Sequence, residues 1–501
     1  MSHLPILQVL VPLLSATLCV LIPSAWFART VAIGAAVSSL WIAVTMLMQV
    51  TGGQPLVYEL GGFPPPWGIE YRVDNATAYI LVIVSMIASV VMSFGPTSGT
   101  ATRIPHGREH LFYATLLLAL TGMLGITVTG DAFNVFVFLE ITSLSSYALI
   151  GMGTGKRAPV AAYSYLILGT IGGTFYLLGV GLCYQMTGTL NMGDLAVRLL
   201  PVQDTRTVVL GFALIAVGLS IKLAVFPLHQ WLPNAYTYAP PVVSAFLAAT
   251  ATKVMYYVLA RMIFTVFGAA YVFGVLHIDR MLLPLSVVAM FAGSLAAIYQ
   301  TDIKRLLAFS SVAQIGYMTL GLAYNSELGL TGGFVHLFNH ALMKGGLFLV
   351  VACVTYRIGS SQIGDMAGLG RRMPLTMAAF VTGGLAIIGV PGTVGFVSKW
   401  YLVLGALEKG WYGIAFLILL SSMLAVVYVW KVIEVVYFGE AKDTGDGDGS
   451  GDGKTGGGDA PLSMLIPTWV LIAGTVVFGF NTDATAGVAR QVAQQLMGTG
   501  S

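Results

Sequence analysis

The amino-acid sequence predicts an all-α polytopic membrane protein of about 14 transmembrane helices, arranged as two inverted five-helix repeats that each contain a broken helix. Three observations predict this fold class. Of the 501 residues, 57% are hydrophobic and only 9% are charged, whereas soluble domains carry about 25% charged residues. Apolar windows of about 20 residues follow one another along most of the chain. Two long windows are interrupted at corresponding places, as in transporters built from repeats.

The predicted spans are delimited by glycine, proline and charged residues. Their approximate limits are 4–22, 30–50, 77–94, 111–128, 132–152, 159–185, 208–232, 241–267, 281–300, 306–324, 328–356, 375–407, 411–437 and 461–480. Pro227 interrupts the seventh span, and the segment GVPGTVG, which contains Pro391, interrupts the twelfth. Each interrupted span is the fourth of a five-span repeat, the first covering residues 111–267 and the second 281–437. Because five is an odd number, the second repeat would be inverted relative to the first.

Three further segments complete the predicted organisation. Residues 1–110 form an N-terminal three-helix segment, whose first apolar run lacks the basic start of a signal peptide and is expected to be retained. Residues 439–460 form a Gly/Asp-rich linker, a composition that cannot bury a core. The linker resembles the start of a calcium-binding loop, but Gly457 stands where the loop requires glutamate. Residues 461–501 contain the last helix and a tail.

The lysines and arginines outside the spans predict the orientation. With the N-terminus outside, the inner loops hold 12 of them and the outer segments hold 7. This distribution predicts that both termini lie outside and that the linker is cytoplasmic.

The composition also argues against several classes of function. Cys19, Cys183 and Cys353 each stand alone in an apolar run, so the sequence predicts no disulfide framework, zinc site or protein-held iron–sulfur cluster. If electrons flow in this system, another chain carries them. A formal net charge of +3 gives no sign of nucleic-acid binding.

Glu140 is the one acid deep in a predicted span, in the segment DAFNVFVFLEITSLSSYALIGMG. A charge at the centre of a bilayer costs about 2.5–3.5 kcal/mol on insertion scales, so such residues are rare and usually functional. Lys222 in the seventh span is its expected partner. The protonation of a buried carboxylate–lysine pair depends on the distance between the groups, so that movement of either one makes a switch. The alternatives are a structural ion pair and a snorkelling lysine.

Lys253, His336, His340 and Lys344 lie within later spans, and Lys399 follows the second break. His336, His340 and Lys344 form one stripe, since a step of four residues advances only about 40° around a helix. A neutral imidazole can accept a proton at one nitrogen and donate from the other, which predicts a proton relay with Lys253 and Lys344 as intermediate stations and Lys399 as its end. Carbonyl-bound lysines and buried structural histidines are the alternatives. A metal at H-x3-H is disfavoured, because no third ligand is near in sequence.

Five segments carry a resemblance to a known family. They are DAFNVFVFLEITSLSSYALI, SIKLAVFPLHQWLPNAY, TDIKRLLAFSSVAQIGYM, GFVHLFNHALMKGGLFL and GVPGTVGFVSKWY. Together they resemble the proton-pumping membrane subunits shared by respiratory complex I and the multisubunit Mrp cation/proton antiporters, over residues 111–437. The resemblance implies a Glu140–Lys222 pair, a bridging lysine at Lys253 and the histidine–lysine stripe. The charged residue of the second break is lysine in some members and glutamate in others, and Lys399 makes the chain most similar to the D subunit of the Mrp antiporter.

The resemblance implies a proton-translocating membrane subunit of a multisubunit Na⁺/H⁺ antiporter in the bacterial cytoplasmic membrane. Its partners would be other membrane subunits, and its transported ions protons and Na⁺, with no cofactor and no chemistry of its own. One alternative is a proton-pumping subunit of a complex I-like NADH dehydrogenase or a membrane-bound hydrogenase, in which the chain would belong to a redox-driven translocase. Another, from a different class, is a structural scaffold that conducts no ion.

Overall fold

The computed structural model describes residues 3–95, 107–153, 155–440 and 458–498. Within these ranges, 13 helices are long and apolar enough to cross a membrane, and the apolar helix Pro374–Ile388 is shorter. Helices make up most of the structure. The predicted polytopic helical membrane fold is therefore confirmed.

The helices and strands follow one another without large gaps in the described ranges. The N-terminal part contains α1 (Leu4–Leu21), α2 (Ala25–Val50), β1 (Leu56–Glu59), β2 (Glu70–Val73) and α3 (Asn75–Ser93). The next helices are α4 (Glu109–Val128), α5 (Ala132–Gly151), α6 (Ala158–Thr187), α7 (Met192–Leu199), α8 (Arg206–Leu223), α9 (Trp231–Tyr238) and α10 (Pro241–Arg261), which a π-helical turn continues at Met262–Val266. They are followed by α11 (Ala269–Gly274), α12 (Asp279–Ile298), α13 (Ile303–Ala323), α14 (Glu327–Ile358), α15 (Leu369–Arg372), α16 (Pro374–Ile388), α17 (Val394–Glu408), α18 (Tyr412–Phe438), α19 (Leu462–Phe480) and α20 (Asp483–Met497).

Both predicted breaks are present. The seventh span ends as a helix at Leu223, and Ala224 follows with a left-handed backbone (φ 62°) before the chain turns through Pro227 into α9. The twelfth span consists of two half-helices, α16 and α17, on either side of residues 389–393, which include Pro391. Both breaks expose backbone carbonyls that must find other donors. The inverted relation of the two repeats stays a prediction.

Several features of the structure were not predicted, among them the short helices α7, α11 and α15 between the spans. β1 and β2 form an antiparallel hairpin in the segment before α3, and α20 forms a helix where the sequence predicted only a tail. The hairpin strands have only four residues each, so their alternation is too short to stand out from a loop rich in proline and glycine. Neither element alters the membrane-spanning part of the fold.

The connecting segments fall on two faces. The terminal face carries the start of α1, the hairpin and α20, and the opposite face carries the loops after α5, α9, α12 and α14. Contacts within the terminal face are His3 with Tyr58, Tyr71 with Thr129, Asp131 with Asn191, and Glu327 with Arg490 and Gln494. Contacts within the opposite face are Asp302 with Gln362, Lys304 with Ala239, and Arg357 with Asp459.

This alternation agrees with the predicted order of crossings. Which face is outside stays a prediction. Arg103 and residues 441–457, with Lys442, Lys454 and most of the predicted linker, lie outside the described residues.

Three neighbouring helices form the centre of the molecule. α10 and α13 are almost entirely buried, and α14 is buried along its whole apolar window. α14 packs against α10, α13, α16, α17 and α19. Polar side chains on these helices therefore lie away from lipid and depend on the protein itself for hydrogen-bond partners.

The predicted orientation can be tested by thiol labelling. Trp67 in the hairpin segment and Lys156 after α5 are both exposed, on opposite faces, and the three native cysteines are buried. A membrane-impermeant maleimide should label Trp67→Cys in intact cells, because the terminal face is predicted to be outside. It should label Lys156→Cys only after permeabilisation. The reverse pattern would show that both termini are cytoplasmic.

The close packing at the second break makes a separate prediction. A Cβ atom at Gly395 would lie 1.8 Å from the backbone oxygen of Ala386, so that Gly395→Ala must displace α16 from α17. We expect it to destabilise the protein by about 1–3 kcal/mol, the usual cost of overpacking. The measurement is thermal unfolding of the purified assembly in detergent. Gly413→Ala is the matched control, because a Cβ atom there meets nothing within 4 Å.

Candidate functional site

Glu140 and Lys222 lie together, as the sequence predicts. Lys222 is buried in the last turn of α8, and its Nζ lies 3.9 Å from Glu140 Oε1 on α5. The same Nζ donates a hydrogen bond of 2.6 Å to Ser143 Oγ, whereas Glu140 Oε1 accepts no hydrogen bond from any described residue. The lysine is thus hydrogen-bonded to the serine and lies at ion-pair distance from the carboxylate.

Local structure explains why the pair can form. Lys222 lies at the C-terminal end of α8, where the helix dipole favours a positive charge. A Cβ atom at Gly173 of α6 would lie 2.4 Å from Glu140 Oε1, so the carboxylate needs a glycine beside it. The indole of Trp231 on α9 donates a hydrogen bond of 2.8 Å to the backbone oxygen of Ile221. The same oxygen also accepts the backbone N–H of Ala224, so that the carbonyl has two donors and α9 is tied to the end of α8.

Glu140 is also the least buried of the predicted ionisable residues. Its side chain is 27% exposed, against 3% for that of Lys222. Val137 and Leu144 on the same helix are exposed as well. The carboxylate therefore lies at a lateral surface of the chain, at membrane depth and among apolar side chains.

Lys253 and Lys344 are both fully buried at the centre of the molecule. Lys344 Nζ donates a hydrogen bond of 2.8 Å to Leu307 O and a further bond to Ser310 Oγ on α13. Lys253 Nζ donates to Ala248 O, in its own helix. In the described part of the chain neither lysine has a carboxylate within ion-pair distance, so carbonyl and hydroxyl oxygens accept both ammonium groups.

The histidines of α14 form a stack. The rings of His336 and His340 are 6.2 Å apart and nearly parallel, with 10° between their planes. His336 Nδ1 lies 2.9 Å from Ser398 Oγ on α17, whereas His336 Nε2 and both nitrogens of His340 have no hydrogen-bond partner among the described residues. Lys253 lies within electrostatic range of both rings and of Lys344. The predicted stripe and Lys253 therefore form one central cluster.

Lys399 adjoins this cluster at the second break. Its Nζ donates hydrogen bonds of 2.9 Å to Ile387 O and to Ile388 O, the last carbonyls of α16. The ammonium group also lies 5.0 Å from the centre of the Tyr317 ring, and that ring lies 5.5 Å from the ring of His336. Lys399 is thus linked to the histidine stack through Tyr317 and through the neighbouring Ser398.

Sequence reasoning missed the neutral partners of these charges, which are Ser143, Ser310, Ser398 and Tyr317. Ser143 follows Glu140 by three residues, so helical spacing could have indicated it. Ser398 is adjacent to Lys399 in sequence. Ser310 and Tyr317 reach the site from α13, and no spacing within the sequence indicates that. Across the described residues, no group of three histidine, cysteine, aspartate or glutamate side chains is placed to hold a metal ion.

Comparison with known proteins gives this arrangement a context. Residues 129–425 match the family described as NADH:quinone oxidoreductase/Mrp antiporter, transmembrane. NADH-quinone oxidoreductase subunit N of Desulforudis audaxviator is 43% identical, covering 97% of this chain and 98% of that protein. The D subunit of the Na⁺/H⁺ antiporter of Alkalihalophilus pseudofirmus is 28% identical, covering 99% and 98%.

A solved structure is also similar to this chain over nearly its whole length. A chain of the Mrp complex from Dietzia superposes with a TM-score of 0.89 at 26% identity, covering 99% of this chain and 98% of that one. The family match spans more than half of the sequence and includes both broken helices and every charged residue of the candidate site. The protein therefore belongs to the NADH:quinone oxidoreductase/Mrp antiporter family of polytopic membrane subunits.

Proposed function

We propose that this chain is the proton-translocating membrane subunit of a multisubunit Na⁺/H⁺ antiporter in the bacterial cytoplasmic membrane. The observation that carries the proposal is the double contact of Lys222, which lies 3.9 Å from Glu140 and 2.6 Å from Ser143. An ammonium group with a charged and a neutral acceptor can exchange one for the other through a small movement. Since a nearby carboxylate favours the charged lysine, leaving Glu140 favours loss of its proton.

The proton released from Lys222 would enter the central cluster. Lys253 lies within electrostatic range of His336, His340 and Lys344, and His340 lies within range of His336 and Lys344. A positive charge on one of these groups therefore disfavours a second nearby. The histidine nitrogens without partners can accept and donate a proton in turn. Lys399, held by carbonyls of the second break, would end the path. The two breaks, at Pro227 and Pro391, would admit water from the two sides.

A neighbouring membrane subunit would complete the switch. Glu140 is 27% exposed at membrane depth, and lipid would be an expensive neighbour for a carboxylate. A partner subunit that covers this surface of α5 could supply a polar or charged group to Glu140 and so draw it from Lys222. The relatives named as antiporter subunits and the Mrp complex structure support such an assembly.

A proton-pumping role in a redox-driven complex is the second candidate. The 43% identical relative named NADH-quinone oxidoreductase subunit N favours it. The same residues could serve both functions. Either a redox-driven partner subunit or a cation gradient could move Glu140 away from Lys222. Purification of the native complex discriminates between them. Flavin, iron–sulfur or quinone-reducing subunits in the preparation would decide for the redox-driven pump.

Variants of the pair test the proposed function. In everted membrane vesicles that contain the assembled complex, Lys222→Ala should abolish Na⁺-dependent proton transport, because the path loses its first carrier. Glu140→Gln should slow transport by about tenfold or more, equivalent to a barrier higher by about 1.4 kcal/mol or more, because Lys222 loses the charge that biases its protonation. Glu408→Gln and Lys409→Ala are matched controls, since both residues are exposed and distant in the fold from the pair.

The amount of assembled complex is measured in the same vesicles. A transport rate per assembled complex equal to that of the native protein, in both pair variants, would contradict the proposal. Reduced assembly with an unchanged rate per complex would instead support a structural scaffold.

Ser398→Ala tests the relay separately. The hydroxyl of Ser398 lies 2.9 Å from His336 Nδ1 and fixes the orientation of the ring. We expect its loss to slow transport several-fold while the complex still assembles, because the ring can then turn away from the path. Ser89→Ala is the control, as the one partner of Ser89 Oγ among the described residues is Ser85 O, within its own helix. Equal rates in the two variants would remove His336 from the relay.

A further inference from the structure

A buried tyrosine hydroxyl lies beside Lys222 without a hydrogen-bond partner of its own. Tyr147 on α5 is 6% exposed, and its Oη has no hydrogen-bond partner among the described residues. Ser143, one turn earlier on the same helix, is near the hydroxyl but does not complete a hydrogen bond to it. Because an unpartnered polar group is costly to bury, folded proteins retain few of them. The proposed relay makes no use of this hydroxyl.

Gly169 of α6 allows the hydroxyl and the ammonium group to approach each other. A Cβ atom at this glycine would lie 2.0 Å from Tyr147 Oη and 3.4 Å from Lys222 Nζ. Both polar groups therefore lie against the same point of α6, where any larger residue would collide with the hydroxyl. A small movement of the long lysine side chain would bring its ammonium group into contact with Tyr147.

The tyrosine also continues a row of polar side chains on α5. Glu140, Ser143 and Tyr147 follow one another at intervals of three and four residues, so they share one face of the helix. Lys222 Nζ is bonded to Ser143, the middle member, at 2.6 Å and lies 3.9 Å from Glu140 Oε1. The rise from Glu140 to Tyr147 is about 10 Å at 1.5 Å per residue. Along α5, the ammonium group thus stands between a carboxylate and a phenol hydroxyl.

An aromatic group holds the tyrosine ring in place. The ring of Tyr147 packs edge to face against Tyr165, with 4.8 Å between the ring centres. Tyr165 in turn stacks on Trp231 at 3.9 Å with 7° between the planes. The indole of Trp231 donates to the backbone oxygen of Ile221, the residue before Lys222. The same aromatic side chains therefore fix both the tyrosine hydroxyl and the end of α8 that carries the lysine.

The chemistry of a phenol hydroxyl differs from that of a carboxylate in one useful respect. A hydroxyl both accepts and donates hydrogen bonds, whereas an ionised carboxylate only accepts them. Tyr147 Oη can accept an N–H of the charged lysine, and its O–H can donate to the nitrogen of the neutral amine. A carboxylate favours only the charged lysine. Beside Tyr147, Lys222 would therefore be hydrogen-bonded both before and after it loses its proton.

We propose that Tyr147 is the alternative partner of Lys222, to which the ammonium group moves when it leaves Glu140. The hydroxyl would accept a hydrogen bond from the charged lysine and donate one to the neutral amine after the proton has passed to the central cluster. Tyr147 keeps its own proton throughout, so it is a positioning residue and not a proton carrier. The inference rests on the proposed function, because an alternative partner matters only where Lys222 exchanges a proton.

Removal of the hydroxyl tests this role. Tyr147→Phe retains the ring that packs against Tyr165 and removes only Oη. In everted vesicles, we expect Na⁺-dependent proton transport per assembled complex to slow about fivefold, equivalent to a barrier higher by about 1 kcal/mol. Tyr324→Phe is the matched control, since Tyr324 is fully buried against Trp411 near the start of α14 and its hydroxyl also lacks a partner among the described residues. The control should transport at the native rate, and equal rates in the two variants would overturn the proposal.

A second background shows whether Tyr147 and Glu140 act on the same lysine. An exchange of Lys222 between them predicts that the two substitutions are not independent. Without the carboxylate, the lysine is no longer held away from the hydroxyl, so adding Tyr147→Phe to Glu140→Gln should slow transport by less than about twofold further. A full fivefold further loss would overturn the proposal. Native transport in Glu140→Gln alone would contradict the proposed function, whereas slow transport there with native transport in Tyr147→Phe would remove Tyr147 only.

A change on α6 reaches the same hydroxyl from the other side. In Gly169→Ala, the added Cβ atom must displace Tyr147 Oη, which lies 2.0 Å from its position, so transport should slow by a similar factor. Gly181→Ala is the control on the same helix, because a Cβ atom there meets nothing within 4 Å. Adding Gly169→Ala to Tyr147→Phe should change the rate little, since the hydroxyl is already absent. Losses that multiply in this double variant would count against the alternative partner.

Discussion

The cost of placing ammonium groups in a membrane interior is the constraint on which the rest of this structure depends. Lys222, Lys253, Lys344 and Lys399 are buried at membrane depth, and the described residues offer a carboxylate within 4 Å to Lys222 alone. The others depend on carbonyl and hydroxyl oxygens, which accept a hydrogen bond without cancelling the charge. Ammonium groups held in this way remain ready to lose a proton, whereas complete ion pairing would keep them charged.

The two helix breaks treat their neighbouring lysines differently. At the second break, the freed carbonyls of Ile387 and Ile388 bind Lys399 directly. At the first break, the indole of Trp231 donates to the carbonyl of Ile221. Lys222 instead donates to Ser143 and lies near Glu140. The second site therefore binds its lysine to fixed backbone, while the first binds it through side chains that can move. This difference is the reason for proposing a switch at the first break and an end station at the second.

An ion pair also joins the central helices to the N-terminal part of the chain. The guanidinium of Arg261, at the end of α10, donates to Asp74, the N-cap residue of α3, and to Thr77. Each buried charge is thereby paired, which offsets the cost of removing it from water. The pair ties α3 to α10 at the centre of the molecule.

The sequence by itself determined the spans, both breaks and the positions of the buried charges, because an apolar run of about 20 residues or a charge within it is visible locally. It also predicted the Glu140–Lys222 pair, since few acids compete for the lysine. Only the tertiary structure decided which neutral groups receive each charge and that Arg261 meets Asp74, 187 residues earlier in the chain. Tyr317 carries no sign in the sequence that it lies between Lys399 and His336. Partner choice depends on how separate helices pack, and side-chain contacts across helices leave no periodic pattern in a single sequence.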